Sequence, residues 1–195
     1  MTRGIVLAAI LLSVFGTALA DHEGEGDRNT QAILAFDTMY GVDGGFIGGA
    51  NAIRGIVGDE SPWNIAGFAR GRLDVDGHLR LKVRGLVFGN DPSVPPGEVG
   101  KNDETDFRAA VSCLTQDAAG NVSTANVITA GFPATTTGDS DIDATLALPS
   151  PCIAPIVMVL AGSEDKWFAV TGFEPAPTPP PGPHGHPGHP GGHRH

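Results

Sequence analysis

Apolar and polar residues alternate through residues 72–84 of the stretch 71–88, GRLDVDGHLRLKVRGLVF. Leu73, Val75, Leu79, Leu81 and Val83 fall on one parity, and Arg72, Asp74, His78, Arg80, Lys82 and Arg84 on the other. A period of two is the mark of strands with one face buried and one wet. Asp76-Gly77 interrupts the run as a turn signal, so the pattern predicts an antiparallel hairpin. Sorting the faces fixes its register. A two-residue Asp76-Gly77 loop would pair Leu73 with Arg80 and mix core with solvent residues. A three-residue loop, Val75-Asp76-Gly77, pairs Leu73 with Leu79 and Asp74 with His78, and puts Gly77 at the left-handed position such loops require. This register sets Arg72 opposite Arg80, a repulsive pair that calls for an acidic strand beside it. Gly85 breaks the alternation and predicts a bulge.

The rest of the chain reads in the same way. Residues 33–40 predict a first short strand. Residues 106–115 alternate, with Phe107, Ala109, Val111 and Cys113 on one face. A turn at 117–121 and a β-branched return over 122–132 complete a second hairpin. Over 141–148, Ile142, Ala144, Leu146 and Leu148 point in, while Asp141, Asp143 and Thr145 point out. Residues 156–160 are continuously apolar, the pattern of a strand covered on both sides, with Pro155 at its start because proline cannot donate to a ladder. Residues 167–171 form the last strand, and 90–103 is a loop by its proline, glycine and asparagine content. No stretch of the body has helical periodicity. The elements add up to an all-β fold, an antiparallel two-sheet sandwich of about seven to nine short strands.

Composition places this body in a compartment. Residues 1–20 carry Arg3, an apolar run and a Thr-Ala-Leu-Ala end, the pattern of a secretory signal peptide cut after Ala20. The apolar run is too short to span a membrane comfortably, and no later segment is long enough. Residues 21–32 read as a disordered acidic lead-in, 33–173 as the sandwich domain, and 174–195 as a Pro-rich spacer with a disordered His-rich tail. The expected location is therefore extracellular or periplasmic. Cleavage would remove Arg3 and no acid, so the mature chain is more acidic than the formal charge of −10 for the whole. An acidic surface excludes binding to nucleic-acid phosphates. The two cysteines, Cys113 and Cys152, read most simply as one disulfide in an oxidising compartment. It would close a loop of about 40 residues and contribute ~4 kcal/mol on the chain-entropy account. Free thiols and an intermolecular bridge are the alternatives.

Chemistry is sparse outside the tail. His184, His186, His189, His193 and His195 place five imidazoles within a dozen residues. Such a cluster can wrap Zn²⁺, Cu²⁺ or Ni²⁺ loosely, and releases it as the rings protonate. Its Gly and Pro spacing specifies no rigid geometry, and a merely solvated tail is the plain alternative. No cofactor is required by anything in the body. His78 could act as a general base oriented by Asp74, but no serine nucleophile motif accompanies it, which favours an exposed cross-strand pair. Asp139, Asp141 and Asp143 form a D-x-D-x-D run whose sixth and twelfth positions, Ala144 and Ser150, do not fit an EF-hand. On a strand they make a wet acidic face that can flank the hairpin arginines. A Ca²⁺ site at the sandwich edge would need Asp103, Glu104 or Asp106. The glycine-rich stretch 41–58 lacks the P-loop lysine and serine and any dinucleotide fingerprint. It reads as a long surface loop pinned by Phe46 and Ile47. Asn121-Val122-Ser123 matches a glycosylation acceptor, relevant only on a eukaryotic secretory route.

The phrases MYGVDGGF, NAIRG, SPWNIAG, DFRAAVSCL, FPATTTG, LPSPCIAPIVMV and WFAVTGF, with the hairpin itself, resemble a group of uncharacterised secreted proteins, largely bacterial. The resemblance spans 36–173 and leaves out the histidine tail. It implies a single secreted domain and carries no activity or site residues. The leading expectation is thus a secreted, non-enzymatic binding or structural protein of unknown ligand and partner. Transition-metal binding through the tail is the alternative, and a hydrolase with a shallow acidic site the third.

Overall fold

The computed structural model describes residues 31–172. The signal-peptide segment, most of the acidic lead-in and the His-rich tail lie outside these residues. The fold is all-β, with two sheets and no α-helix among the described residues. The strands are β1 (Ala32–Phe36), β2 (Met39–Gly41), β3 (Val57–Gly58), β4 (Trp63–Asp74), β5 (His78–Phe88), β6 (Asp106–Gln116), β7 (Val122–Ile128), β8 (Phe132–Pro133), β9 (Ser140–Thr145), β10 (Ile153–Ala161) and β11 (Lys166–Thr171). The small sheet runs β1-β4-β5-β9. The large sheet runs β2-β11-β10-β6-β7, with β3 paired to β11 and β8 to β6. All pairings are antiparallel except that of β3 with β11. The strand count exceeds the sequence expectation because β2, β3 and β8 are only two or three residues long. The single strand expected over 33–40 breaks at Asp37-Thr38, so that β1 joins one sheet and β2 the other.

The central hairpin takes the register that face-sorting demands. Leu73 pairs with Leu79 and Arg72 with Arg80. Gly77 closes the turn at φ +86°, its amide bonded to the Asp74 carbonyl at 2.9 Å. Near Gly85 the pairs Ile65 with Leu86 and Phe68 with Arg84 leave Ala66 and Gly67 facing Gly85 alone. The expected bulge is therefore present, with its extra residue on β4. The expected acidic strand is β9, which sets Asp143 beside Arg80 and Asp141 beside Lys82.

One position on the wet face behaves otherwise. Asp74 is fully buried, with Arg72 Nε at 2.5 Å and an Arg80 terminal nitrogen at 3.1 Å. The carboxylate sits between the two guanidinium groups that the register forces together, and so relieves their repulsion. Its carboxylate bonds are thus to the two arginines, while His78 pairs with Asp143.

The core lies between the sheets. Trp63 stacks on Phe168 at 3.8 Å and packs against Phe88 at 4.4 Å, and Phe107 meets Phe168 edge-on at 5.9 Å. Fully burying side chains of this size stabilises the fold by roughly 1.5–3 kcal/mol each. Along β6 and β10 both faces are buried, as the unbroken apolar run of β10 required. The register places Ser112, Ile156, Ala110, Met158 and Leu160 on the face away from Phe107, and Trp167 joins Leu160 there. The glycine-rich segment 42–58 covers that outer face. Arg54 donates to the Ser112 and Ala154 carbonyls at 2.8 and 2.7 Å, Ile56 is buried, and Phe46 lies 6.1 Å from the Trp167 ring. The segment expected to be a pinned surface loop is thus the second wall of the large sheet. Cys113 and Cys152 form the disulfide, their Cα atoms 4.9 Å apart. The bond ties β6 to the chain entering β10.

Candidate functional site

The sequence candidates in the body are dispersed into ion pairs. His78 Nε2 lies 2.7 Å from an Asp143 oxygen, with both side chains partly or largely exposed. Its carboxylate partner is Asp143 and not Asp74, and no serine or cysteine accompanies the pair. Arg84 holds Asp141 through two bonds of 2.9 Å, and Asp139 accepts from the Gly85 amide. The D-x-D-x-D run therefore does flank the hairpin arginines, and each of its carboxylates has a protein partner. Glu104 accepts from Ser163 and Asp106 from Thr105. Neither they nor Asp103 come together as a ligand set for Ca²⁺. The tail residues His184, His186, His189, His193 and His195 lie outside the described residues.

Among the described residues, one carboxylate cluster has metal-ligand spacing, Asp59, Glu60 and Glu164, with one oxygen of each within 4.8 Å of the others. Its charge is already met. Lys166 Nζ reaches Glu60 at 2.5 Å and Glu164 at 2.9 Å, and the Trp63 indole N–H donates to Asp59 at 2.8 Å. The hydrogen bond to Lys166 holds the Glu60 carboxyl below its ordinary range, and the same bonds raise the Lys166 ammonium. Burial pushes Asp59 up, against the hydrogen bonds from Trp63 and the Ser61 amide. The arrangement locks the start of β11 to the start of β4, and each of the three carboxylates already has a protein partner.

A concave polar surface lies elsewhere, at the seam where the chain leaves β1 and crosses to the large sheet. There β2 runs against β4 so closely that a Cβ on Gly41 would lie 2.2 Å from the Trp63 carbonyl oxygen. Only glycine permits this approach. Two depressions of about 230 and 210 Å³ meet at Gly41 and Asn64. The first is lined by Tyr40, Asp43, Trp63, Asn64, Asn90 and Asp91, and the second by Asp37, Thr38, Asn64 and Phe68 among others. Phe68 is 39 % exposed, with the Arg70 guanidinium 4.6 Å above its ring. Tyr40 packs edge-on against Phe46 at 6.5 Å. Asp91 is held below its ordinary range by the backbone and side chain of Ser93, so it is an ionised acceptor and no proton donor near neutrality.

The groove is a row of amide and carboxylate groups with the half-buried Tyr40 in one depression and the exposed Phe68 in the other. No histidine, cysteine or lysine lines it; its polar groups are the carboxylates of Asp37, Asp43 and Asp91, the amides of Asn64 and Asn90 and the Thr38 hydroxyl. Each depression is smaller than a drug-sized pocket, and the two in line suit an extended ligand. Sequence reasoning missed this site because its residues come from three separate segments. The one local signal was Asn64, a polar residue between Trp63 and Ile65. Comparison of the chain with protein-family models, curated proteins and solved structures finds no match.

Proposed function

We propose that this chain is a secreted, non-enzymatic binding protein whose ligand surface is the seam groove, and that the ligand is a hydroxyl-rich extended chain such as a neutral oligosaccharide. The single observation that supports this most is the composition of the groove: Asn64, Asn90, Asp43 and Asp91 offer donors and acceptors beside Tyr40 and Phe68. Sugar hydroxyls take such hydrogen bonds, and the C–H faces of sugar rings rest on aromatic surfaces. The disulfide supports an oxidising compartment, and no helix of the described residues is long and apolar enough to cross a membrane. The test is a tryptophan-fluorescence titration with a panel of soluble neutral oligosaccharides, read through Trp63 beneath the groove. Binding by at least one sugar, weakened about tenfold or more in Tyr40→Ala and in Asn64→Ala, supports the reading. Absence of binding at millimolar sugar, or affinity unchanged in both variants, contradicts it.

The five tail imidazoles favour a second activity, loose chelation of Zn²⁺, Cu²⁺ or Ni²⁺. Calorimetric titration of the three metals into residues 21–195 and into a chain ending at Phe173 separates the outcomes. Binding lost with the tail supports chelation by the tail, and binding kept by the shorter chain contradicts it.

A further inference from the structure

We propose that β7 is the interface for a second copy of this chain, and that two copies join edge to edge through antiparallel β7 strands about a twofold axis at Ala125. The large sheet ends at β7, whose outer edge has no strand partner among the described residues. Exposed edges are normally blunted by charge, proline, bulges or short length. The other edges have such devices. β9 carries Asp141 and Asp143, β1 has a register irregularity between Ala32 and Leu34, and β2 is three residues long. β7 has none of them. Its seven residues, VSTANVI, pair with β6 in unbroken register from Val122 to Ile128. No charged residue occurs between Asp117 and Asp139. On a chain with a formal charge of −10, this is where two copies can approach without repulsion.

The backbone is set for that pairing. The Thr129 amide donates to the Ala109 carbonyl at 2.9 Å. Alternation then turns the amides of Val127, Ala125 and Ser123 toward β6, and those of Val122, Thr124, Asn126 and Ile128 outward. Antiparallel pairing about Ala125 sets Val122 against Ile128 of the second copy and Thr124 against its Asn126. All four of these residues carry outward-facing backbone groups, so each pair exchanges two hydrogen bonds. The side chains match as well. On one face Val122, 70 % exposed in the single chain, meets Ile128, and Thr124 meets Asn126. On the other face Ser123 meets Val127 and Ala125 meets Ala125. The same patch serves both partners, as a closed twofold interface requires.

The experiment is sedimentation equilibrium of residues 21–195 over a concentration series, since dimerisation follows mass action. The expected result is a dimer that dissociates on dilution. Thr124→Pro removes one outward amide and none of the β6 ladder, a position where an edge strand tolerates proline. It is expected to weaken association at least tenfold while the melting temperature of the monomer stays near that of the parent. Thr124→Lys, which keeps the backbone and adds two like charges at the interface, should do the same and serves if the proline variant misfolds. A parent chain that is monomeric throughout the series, or a dimer that survives Thr124→Lys, overturns the proposal.

Discussion

The two sheets turn opposite kinds of outer face away from the core. On the small sheet that face is bare and charged, with Arg70, Arg72, Arg80, Lys82 and Arg84 interleaved with Asp141 and Asp143. On the large sheet it is mostly apolar along β6, β10 and β11 and is covered there by residues 42–58, while β7 at the edge stays exposed. The difference originates in the strands. β4 and β5 alternate, so one layer of protein satisfies them. β10 reads IVMVLA from Ile156 and has two apolar faces, so a second wall is required. The glycine-rich segment supplies that wall without a helix or another sheet, using short 3-10 turns at Gly44–Phe46 and Gly48–Ala50 and the reach of Arg54. With one sheet covered and the other laced with ion pairs, the seam between them is an open polar concavity.

If both faces of the large sheet are core, Leu160→Ala should cost about 2–5 kcal/mol in urea unfolding, like any buried leucine. Lys82→Ala, on the outer face of the small sheet, should change stability by no more than about 0.5 kcal/mol. Similar values for the two would erase the contrast. Removing the disulfide as Cys113→Ala/Cys152→Ala should cost about 2–4 kcal/mol, and the loss should appear as a lower midpoint in the same unfolding curves. Arg54→Ala removes two charge-assisted hydrogen bonds to carbonyls of the large sheet and should cost about 1–3 kcal/mol. Hydrogen exchange should then rise first in residues 42–58 and in β6 and β10 beneath them, with β4 and β5 unaffected.

The smallest effect expected is on pH dependence, where neighbouring acids have opposite signs. Folding raises Asp59 by burial, so the folded chain keeps that proton to a higher pH than the unfolded chain. Asp59 therefore lowers stability as pH rises from the ordinary aspartate value through its raised one. Glu60 is depressed by Lys166, so its contribution is complete above the ordinary glutamate value and is lost as pH falls. Melting temperature against pH should lose the Asp59 component in Asp59→Asn, shifting upward at neutral pH relative to acid. In Lys166→Met the Glu60 component should disappear instead.

Much of the hairpin was legible in the sequence, because a period of two leaves only one register that keeps Leu73 and Leu79 inside. That register also forced Arg72 against Arg80, which made an acidic neighbour necessary before any strand order was known. The burial of Asp74 was not legible. Alternation assigns a residue to a face, and says nothing of whether two flanking guanidinium groups will close over it. Nor did the sequence reveal what residues 42–58 cover. Their glycines signal irregular backbone, while the surface they shield is made by β6, β10 and β11, far along the chain. The groove was hidden for the same reason: Asp37, Asn64 and Asp91 belong to segments that only the crossing from β1 to β2 brings together.

The claim that the seam is the ligand surface is tested most directly by mapping amide shifts in a ¹H–¹⁵N spectrum of residues 21–195 during titration with the tightest-binding neutral oligosaccharide from the fluorescence panel. The account predicts that shifts concentrate at residues 37–43, 63–68 and 89–91 and leave β9 and β7 untouched. Shifts centred on the charged face of β5 and β9, or none in the seam at saturating sugar, would contradict it.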